Sequence, residues 1–241
     1  MIHHEKIVRA ALITMLCGLA GAGAGCKKNA AGDKAAAPPA AVGVSPLSSR
    51  LNAMAPAAQV DTLRALVAAD SANAQLQFYS GNAYYSFGAG LETSAPSRTA
   101  YLDSATAAYQ RAVAIDSTMS KAWVNMGLAY QENIKRPEAR KALEKAIAVN
   151  PNDVLAYCQL GYLSHVSGDL TEAMRQYQLA LAIDPKSAQA HYNMGLAFAE
   201  AKIFNEALRE WQLVIESDPG SDLGKTAAEN VRIIHQYTTK P

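Results

Sequence analysis

The sequence predicts an all-α protein built from stacked pairs of antiparallel helices. Four alanines, Ala105, Ala139, Ala173 and Ala207, lie 34 residues apart, and a large side chain follows each of them four positions later. A constant period of this length is typical of helical arrays, in which each unit buries its apolar face against its neighbours. Arrays of this kind generally present a surface to other proteins rather than perform chemistry.

Each period contains two predicted helices. In the first helix, large residues recur at i, i+3 and i+7, as Trp123, Met126 and Tyr130 do, and this spacing marks one helical face. A glycine beside the stripe, Gly127 in this unit, is expected to let the second helix approach closely. The contact between this glycine and Ala139 is expected to fix a tight pair. A proline at the end of most units stops the second helix, because it removes a backbone donor.

In these residues the chain resembles the tetratricopeptide repeat family. The family's eight signature positions are filled in three consecutive units, with Ser164, His191 and Val214 as the weaker matches. The resemblance implies a right-handed solenoid of antiparallel helix pairs that binds other proteins or extended peptides. It places the four repeats at residues 74–119, 120–153, 154–187 and 188–221.

The first repeat is longer than the others. The step from Gly81 to Ala105 is 24 residues, against 12 from Gly127 to Ala139. We expect the additional residues to lie in the turn between the two helices, within residues 86–100. Such an insertion can contact a partner, or it can be tolerated drift, because a longer loop costs little free energy.

Apolar stripes on both sides of the repeats predict capping helices. The first capping segment is residues 56–73, with a helix at Pro56–Ala69, and the second is residues 222–241, a helix followed by a short tail. A finite stack needs such caps because its outermost apolar faces would otherwise meet water.

Residues 1–25 are predicted to be a signal peptide of the lipoprotein type. Lys6 and Arg9 precede an uncharged apolar run that ends at Cys26. Gly23 departs from the usual leucine three positions before the cysteine. The resemblance to bacterial lipoproteins implies acylation of Cys26. Cleavage after Ala24, which would release a soluble periplasmic or secreted form, and an uncleaved anchor are the alternatives.

Residues 26–55 are predicted to be a disordered tether. They are rich in Ala, Pro, Gly and Ser, so they have little apolar surface to bury. We therefore expect a protein held at the bacterial envelope and facing the periplasm. In lipoproteins that this chain resembles, an Asp after the acylated cysteine favours the inner membrane. Lys27 stands there instead, which favours the outer membrane.

Charge argues against a nucleic-acid partner. Without residues 1–25, the chain has 20 basic and 20 acidic residues, so it offers no electrostatic attraction for phosphates. Two cysteines remain after cleavage, Cys26 and Cys158. If Cys26 is acylated, no internal disulfide can form.

The resemblance implies a binding groove on the concave face, lined by the first helices of successive repeats. Its inward-facing positions are amide-rich and aromatic, and few are charged. The predicted groove residues are Tyr79, Asn82, Lys121, Asn125, Leu128, Gln159, Tyr162, Gln189, Tyr192 and Asn193. The amides can pair with the backbone of an extended peptide, although Asn at this position is also common in the family for packing alone.

Chemical function is not predicted. Cys158 and His165 share a helix face, but seven residues of helix separate them by about 10 Å, beyond hydrogen-bond reach. His191 occupies a packing position. We therefore expect no enzyme activity, no metal, no cofactor and no small-molecule substrate.

Two function classes remain. The first is a lipid-anchored envelope scaffold or adaptor that holds other proteins or extended peptides in the groove. The alternative is a periplasmic holdase or carrier for unfolded or secreted chains. The tether and the capped array favour the scaffold.

Overall fold

The structure, a computed structural model, describes residues 46–238, and its regular secondary structure within that range is entirely helical. The helices are α1 Pro46–Asn52, α2 Pro56–Ala69, α3 Ala74–Ala89, α4 Pro96–Ile115, α5 Ser120–Glu132, α6 Arg136–Val149, α7 Val154–Val166, α8 Leu170–Ile183, α9 Ala188–Glu200, α10 Phe204–Ser217 and α11 Asp222–Thr238. They belong to two compact units, which divide after Asp116.

The first unit contains a short helix within the segment that we predicted to be a tether. Helix α1 lies within residues 26–55, and its Leu51 is buried against Val60 and Leu63 of α2. Leu47 and Met54 pack against the same cluster. These residues follow the i, i+4, i+7 spacing of one helix face, a local pattern that the average composition of the segment conceals. The prediction that the disordered tether extends to residue 55 is therefore wrong for residues 46–52, which form α1.

We expected the additional residues of the first repeat to form a longer turn within residues 86–100. In the structure most of them extend the two helices instead. Helix α3 has 16 residues against 13 in α5, and α4 has 20 against 14 in α6. The connection, residues 90–95, is only three residues longer than the connection after α5. Nine of the twelve additional residues therefore extend the two helices. The close packing of Gly88 against Tyr101 continues the helix contact into this extension.

The second unit contains three regular helix pairs, α5/α6, α7/α8 and α9/α10. A three-residue turn joins the helices of each pair, and its middle residue has a positive φ. These residues are Ile134 at 59°, Gly168 at 83° and Lys202 at 62°. A turn this short brings the second helix back antiparallel to the first.

Each pair is held by a glycine on the first helix and a large side chain on the second. A Cβ added to Gly161 would lie 2.3 Å from Cε1 of Tyr177, and one added to Gly195 would lie 2.4 Å from Nε1 of Trp211. The aromatic ring thus occupies the space that a side chain would need. We expected the glycine to contact the alanine that lies four residues before this large side chain, whereas its nearest contact is with the large side chain itself.

Polar side chains begin several helices. Asn73, Asp153 and Asp169 each accept a hydrogen bond from a backbone N–H in the first turn of α3, α7 and α8. The hydroxyl of Ser187 does the same for α9. Each cap satisfies a backbone donor that has no partner within the helix.

Helix α11 closes the second unit. Its Ala227 and Ile234 are buried, whereas Lys225 and Arg232 are exposed. An apolar inner face and a polar outer face are what the end of a stack requires. Within residues 46–238, no helix has the length and apolar character needed to cross a bilayer.

Candidate functional site

The predicted groove residues of the second unit lie on α5, α7 and α9, and they differ in accessibility. On α5, Lys121 is exposed, and Asn125 and Leu128 are half-buried. These three side chains follow one another at i, i+4 and i+7, so they form one stripe along the helix. The stripe offers a cation, an amide and an apolar group to a ligand.

Helix α7 carries the corresponding stripe one repeat later. Leu155 is 40% exposed, and Gln159 and Tyr162 are half-buried. Gln159 makes no side-chain hydrogen bond to any residue in the described range. Its amide is therefore available to donate to and accept from a ligand.

On helix α9, two of the three predicted groove residues are buried. Tyr192 is 1% exposed, and its hydroxyl oxygen accepts a hydrogen bond of 3.3 Å from Nδ2 of Asn230 on α11. Burial raises the pKa of Tyr192 to about 12. Asn193 is also buried, and its Oδ1 accepts a hydrogen bond of 3.1 Å from Nε2 of the half-buried Gln189. The prediction that Tyr192 and Asn193 line an open groove is therefore wrong, because packing with the closing helix covers this position.

The two predicted groove residues of the first unit take part in internal packing. Asn82 accepts a hydrogen bond of 2.8 Å from the hydroxyl of Tyr109. Tyr79 packs against the cluster that contains Val60 and Leu63, and its ring lies 5.9 Å from that of Phe78. Both residues remain half-buried, so part of each side chain is still accessible.

Cys158, His165 and His191 of the second unit take part in internal packing and contacts. Cys158 is fully buried, and burial raises the pKa of its thiol to about 12, so the nucleophilic thiolate is scarce at neutral pH. His165 pairs instead with Glu200, through a 2.5 Å contact between Nε2 and Oε2. In His191, Nδ1 contacts Oε2 of Glu210 at 2.7 Å and Nε2 contacts the carbonyl oxygen of Pro185 at 3.1 Å. No group of residues with metal-binding chemistry occurs in the described part of the chain.

Sequence reasoning missed the hydrogen-bond partners of His165 and Tyr192. Glu200 binds His165 across two repeats, and Asn230 binds Tyr192 from the closing helix. The spacing of 35 between His165 and Glu200, one period plus one residue, is a signal that comparison of adjacent repeats can detect. No comparable signal exists for Asn230, because α11 is not a repeat.

The accessible stripes can hold an extended chain. Successive stripes combine side-chain amides with apolar groups that are exposed or half-buried, and the Cys158 thiol of α7 is buried. Cys26, the predicted lipidation site, lies outside the described residues.

Comparison with known proteins identifies the repeats. Family models described as tetratricopeptide repeat match residues 120–153 and 142–175, and one described as TPR repeat matches residues 165–201. These matches confirm the predicted repeat family. A search of curated protein sequences gives no match to the chain.

Solved structures with the same fold include MamA and a thermophilic TPR protein of Thermus thermophilus. A crystal structure of MamA is 23% identical, with 65% of this chain and 85% of that chain covered and a TM-score of 0.55. A double mutant of MamA RS-1 is 18% identical, with 73% and 93% covered and a TM-score of 0.58. The Thermus protein, TTC0263, is 15% identical, with 72% and 89% covered and a TM-score of 0.58. Likeness at this level of identity establishes the fold, an all-α tetratricopeptide solenoid.

Proposed function

We propose that this chain, a tetratricopeptide-repeat protein, is a scaffold of the bacterial cell envelope that is anchored by a lipid on Cys26 and holds another protein on its first helices. The tetratricopeptide fold is one of protein interaction, which supports a scaffold. The signal segment and the cysteine that follows it support the anchor.

The observation that carries the proposal is the accessible stripe on α7. Leu155 is a large apolar side chain left 40% exposed, and Gln159 has no hydrogen-bond partner in the described range. The other large apolar residues of α7 are buried or half-buried, so Leu155 is the exposed apolar side chain of this helix. A partner that covers Leu155 gains apolar burial, and a main-chain amide that pairs with Gln159 gains hydrogen bonds.

Crosslinking in intact cells followed by mass spectrometry tests the proposal. The variant Gln159→Ala/Tyr162→Ala removes two accessible side chains of the first helices. The matched control, Lys141→Ala/Gln178→Ala, removes two exposed side chains of the second helices. Tyr192 stays intact in both variants, because truncating a buried ring would unfold the repeat.

A short and reproducible set of partners that the groove variant loses and the control retains is the expected result. The same set retained by both variants would contradict binding on the first helices. A long set of unrelated secreted chains would instead favour the holdase, which the exposed Leu155 also suits.

The anchor has a separate test. Cys26→Ala is expected to move the protein from the membrane fraction to the soluble fraction, because it removes the acylated thiol. Cys17→Ala, within the signal segment, is the matched control and is expected to leave the protein in membranes. Equal membrane association of the two variants would exclude a lipid on Cys26.

A further inference from the structure

The side chain of His191, near the start of α9, has an oxygen acceptor at each of its two ring nitrogens. Nδ1 lies 2.7 Å from Oε2 of Glu210 on α10, and Nε2 lies 3.1 Å from the carbonyl oxygen of Pro185, in the connection before α9. The side chains of His191 and Glu210 are 12% and 11% exposed. One imidazole therefore joins α9, α10 and the connection between α8 and α9.

A neutral imidazole cannot satisfy both contacts. It carries one N–H donor, and its other ring nitrogen is an acceptor. A carbonyl oxygen and an ionised carboxylate only accept, so a neutral ring would place a nitrogen lone pair against an oxygen lone pair at one of the two contacts. The imidazolium donates from both nitrogens, and both distances are those of ordinary hydrogen bonds.

The equivalent position two repeats earlier shows the same contact with a permanent donor. Trp123 lies two periods of 34 residues before His191, and its indole Nε1–H donates to the carbonyl oxygen of Ser117 at 3.1 Å. In both repeats the accepting carbonyl belongs to the residue six positions before the ring. The residue that corresponds to Glu210 in the earlier repeat is Ala142, which does not titrate. The repeat therefore uses Nε2 of His191 as a donor, and Glu210 adds the demand for a second one.

The other histidine of this unit that pairs with a glutamate has no such demand. Nε2 of His165 lies 2.5 Å from Oε2 of Glu200, and its Nδ1 is buried with no hydrogen-bond partner. A neutral imidazole with its proton on Nε2 satisfies this single contact, whereas a second proton would create a buried donor without an acceptor. The need for two ring protons thus distinguishes His191 from His165.

We propose that His191 and Glu210 form a proton-dependent link, in which the imidazolium holds α9 to α10 and to the preceding connection, and loss of one proton loosens the fourth helix pair, α9/α10. An imidazole is more basic than a carboxylate, so the proton lies on the ring. Without it, the nearly buried carboxylate of Glu210 loses its cation, and one ring nitrogen faces an oxygen with no proton between them. This link is independent of the lipid anchor and of the bound partner.

Other ionisable groups lie on the elements packed against α9. They include the ion pairs of Glu172 with Arg175 on α8, Glu206 with Arg209 on α10 and Glu229 with Arg232 on α11, the backbone-bonded Asp184 and its neighbour Lys186 beside Pro185, Glu216 on α10, and the exposed Lys225 and His235 on α11. The carboxylate that contacts the ring of His191 is that of Glu210. A comparison that changes only these two residues leaves all the other groups in place.

Nitrogen NMR of the full chain with 15N-labelled histidine tests the protonation state directly. At pH 7, both ring nitrogens of His191 are expected to resonate at the frequency of protonated nitrogens. Those of His165, the internal control, are expected to lie apart, with Nδ1 at the frequency of an unprotonated nitrogen. An unprotonated nitrogen in His191 at pH 7 would overturn the proposal, and this result does not depend on any variant.

The variant Glu210→Gln tests the source of the second proton. It copies Gln176, which holds the equivalent position one repeat earlier, and its amide can donate to a neutral ring nitrogen. We therefore expect Nδ1 of His191 to lose its proton at pH 7 in this variant. Two protonated nitrogens in both proteins would show that Glu210 does not hold the proton on the ring.

The double variant His191→Trp/Glu210→Ala measures the effect on stability. It copies Trp123 and Ala142, so it keeps an N–H donor for the carbonyl oxygen of Pro185 and removes both titrating groups. The folded parent holds a proton that the unfolded chain releases more readily, so its stability is greatest in acid and falls as the pH rises. Between pH 5 and pH 9, the Tm of the parent is expected to fall by about 3 to 6 °C more than that of the variant.

Parallel Tm profiles of the parent and the double variant would contradict the link. This outcome is distinct from failure of the scaffold, because neither the NMR measurement nor the Tm profile involves Cys26 or a captured partner. If Gln159→Ala/Tyr162→Ala retains every partner while His191 keeps two ring protons, the proton-dependent link stands and binding on the first helices does not.

Discussion

The first and third helix pairs share the same contact between a glycine and a tyrosine ring, but the tyrosine hydroxyl has a hydrogen-bond partner only in the first pair. In α3/α4 a Cβ on Gly81 would lie 2.5 Å from the ring of Tyr109, and in α7/α8 one on Gly161 would lie 2.3 Å from the ring of Tyr177. The packing of glycine against tyrosine is therefore nearly identical. The hydroxyl is paired in the first case and unpaired in the second.

The comparison distinguishes the apolar contact, which every repeat requires, from the hydrogen bond, which only one of these two pairs makes. The apolar contact defines the pair, so it recurs at every period. Whether the tyrosine hydroxyl is paired depends on the residue that follows the glycine, which is Asn82 in the first pair and Tyr162 in the third. A pair can tolerate an unpaired hydroxyl because the cost, about 1 to 3 kcal/mol, is small beside the apolar burial that holds the helices together.

The largest expected effect comes from filling the shared contact. Ala173 and Ala105 are both fully buried in the two pairs. Ala173→Trp is expected to cost about 4 kcal/mol or more and to unfold the second unit, because the packed interior has no space for an indole. Urea denaturation followed by circular dichroism measures this. A variant with the parent's unfolding midpoint would mean that the pairing of α7 with α8 is wrong.

A smaller effect is expected at the glycines. Gly81→Ala and Gly161→Ala are each expected to lower the free energy of unfolding by about 1 to 2 kcal/mol, because the clash with a rigid ring exceeds the gain in helix propensity. Gly127→Ala is the control. Its added Cβ would lie 2.7 Å from Cγ and 2.9 Å from Cδ2 of Leu143, and because an aliphatic side chain adjusts more easily than an aromatic ring, a loss below about 1 kcal/mol is expected. Equal losses at all three sites would contradict the role given to the rings.

The difference in hydroxyl pairing can be measured as a coupling free energy between positions 162 and 177. Tyr162→Asn restores the residue type found at Asn82, so it offers an acceptor to the hydroxyl of Tyr177. We expect Tyr162→Asn to be about 1 kcal/mol more favourable in the parent than in combination with Tyr177→Phe. This double-mutant cycle removes the packing loss common to both backgrounds. A coupling near zero would show that the two positions are not in contact.

The repeats could be predicted from the sequence because their apolar positions recur with a fixed period. The exposure of a groove residue could not be predicted, since it depends on what packs above it. Tyr192 fits the periodic pattern of the groove, yet Asn230 of a non-repeating helix covers it. The weak match at Ser164 shows the same limit, because its hydroxyl accepts a hydrogen bond of 3.2 Å from Nη2 of Arg140, a contact that no period specifies. The helix α1 was missed because composition averaged over a segment hides a stripe of three residues.

The two pairs are also expected to differ in acid, the smallest of these effects. Hydrogen bonds from Arg175 and Gln176 lower the pKa of Glu172 from 4.5 to about 2. Ser104 holds the equivalent position in the first pair and does not titrate; its hydroxyl donates to the carbonyl oxygen of Ala100. Because the carboxyl of Glu172 has a lower pKa folded than unfolded, its stabilisation is present above pH 4.5 and is lost as the pH falls toward 2.

Glu172→Gln is therefore expected to flatten the decline in unfolding free energy between pH 4.5 and pH 2, whereas Ser104→Ala leaves the slope unchanged. Denaturation with urea at several pH values measures both slopes. A parent and a Glu172→Gln variant with parallel pH profiles would mean that Glu172 keeps its ordinary pKa in the folded chain. In that case the side chains of Arg175 and Gln176 contribute no charge-dependent stability to the third pair, and Glu172 gives this pair no acid sensitivity that Ser104 does not give the first.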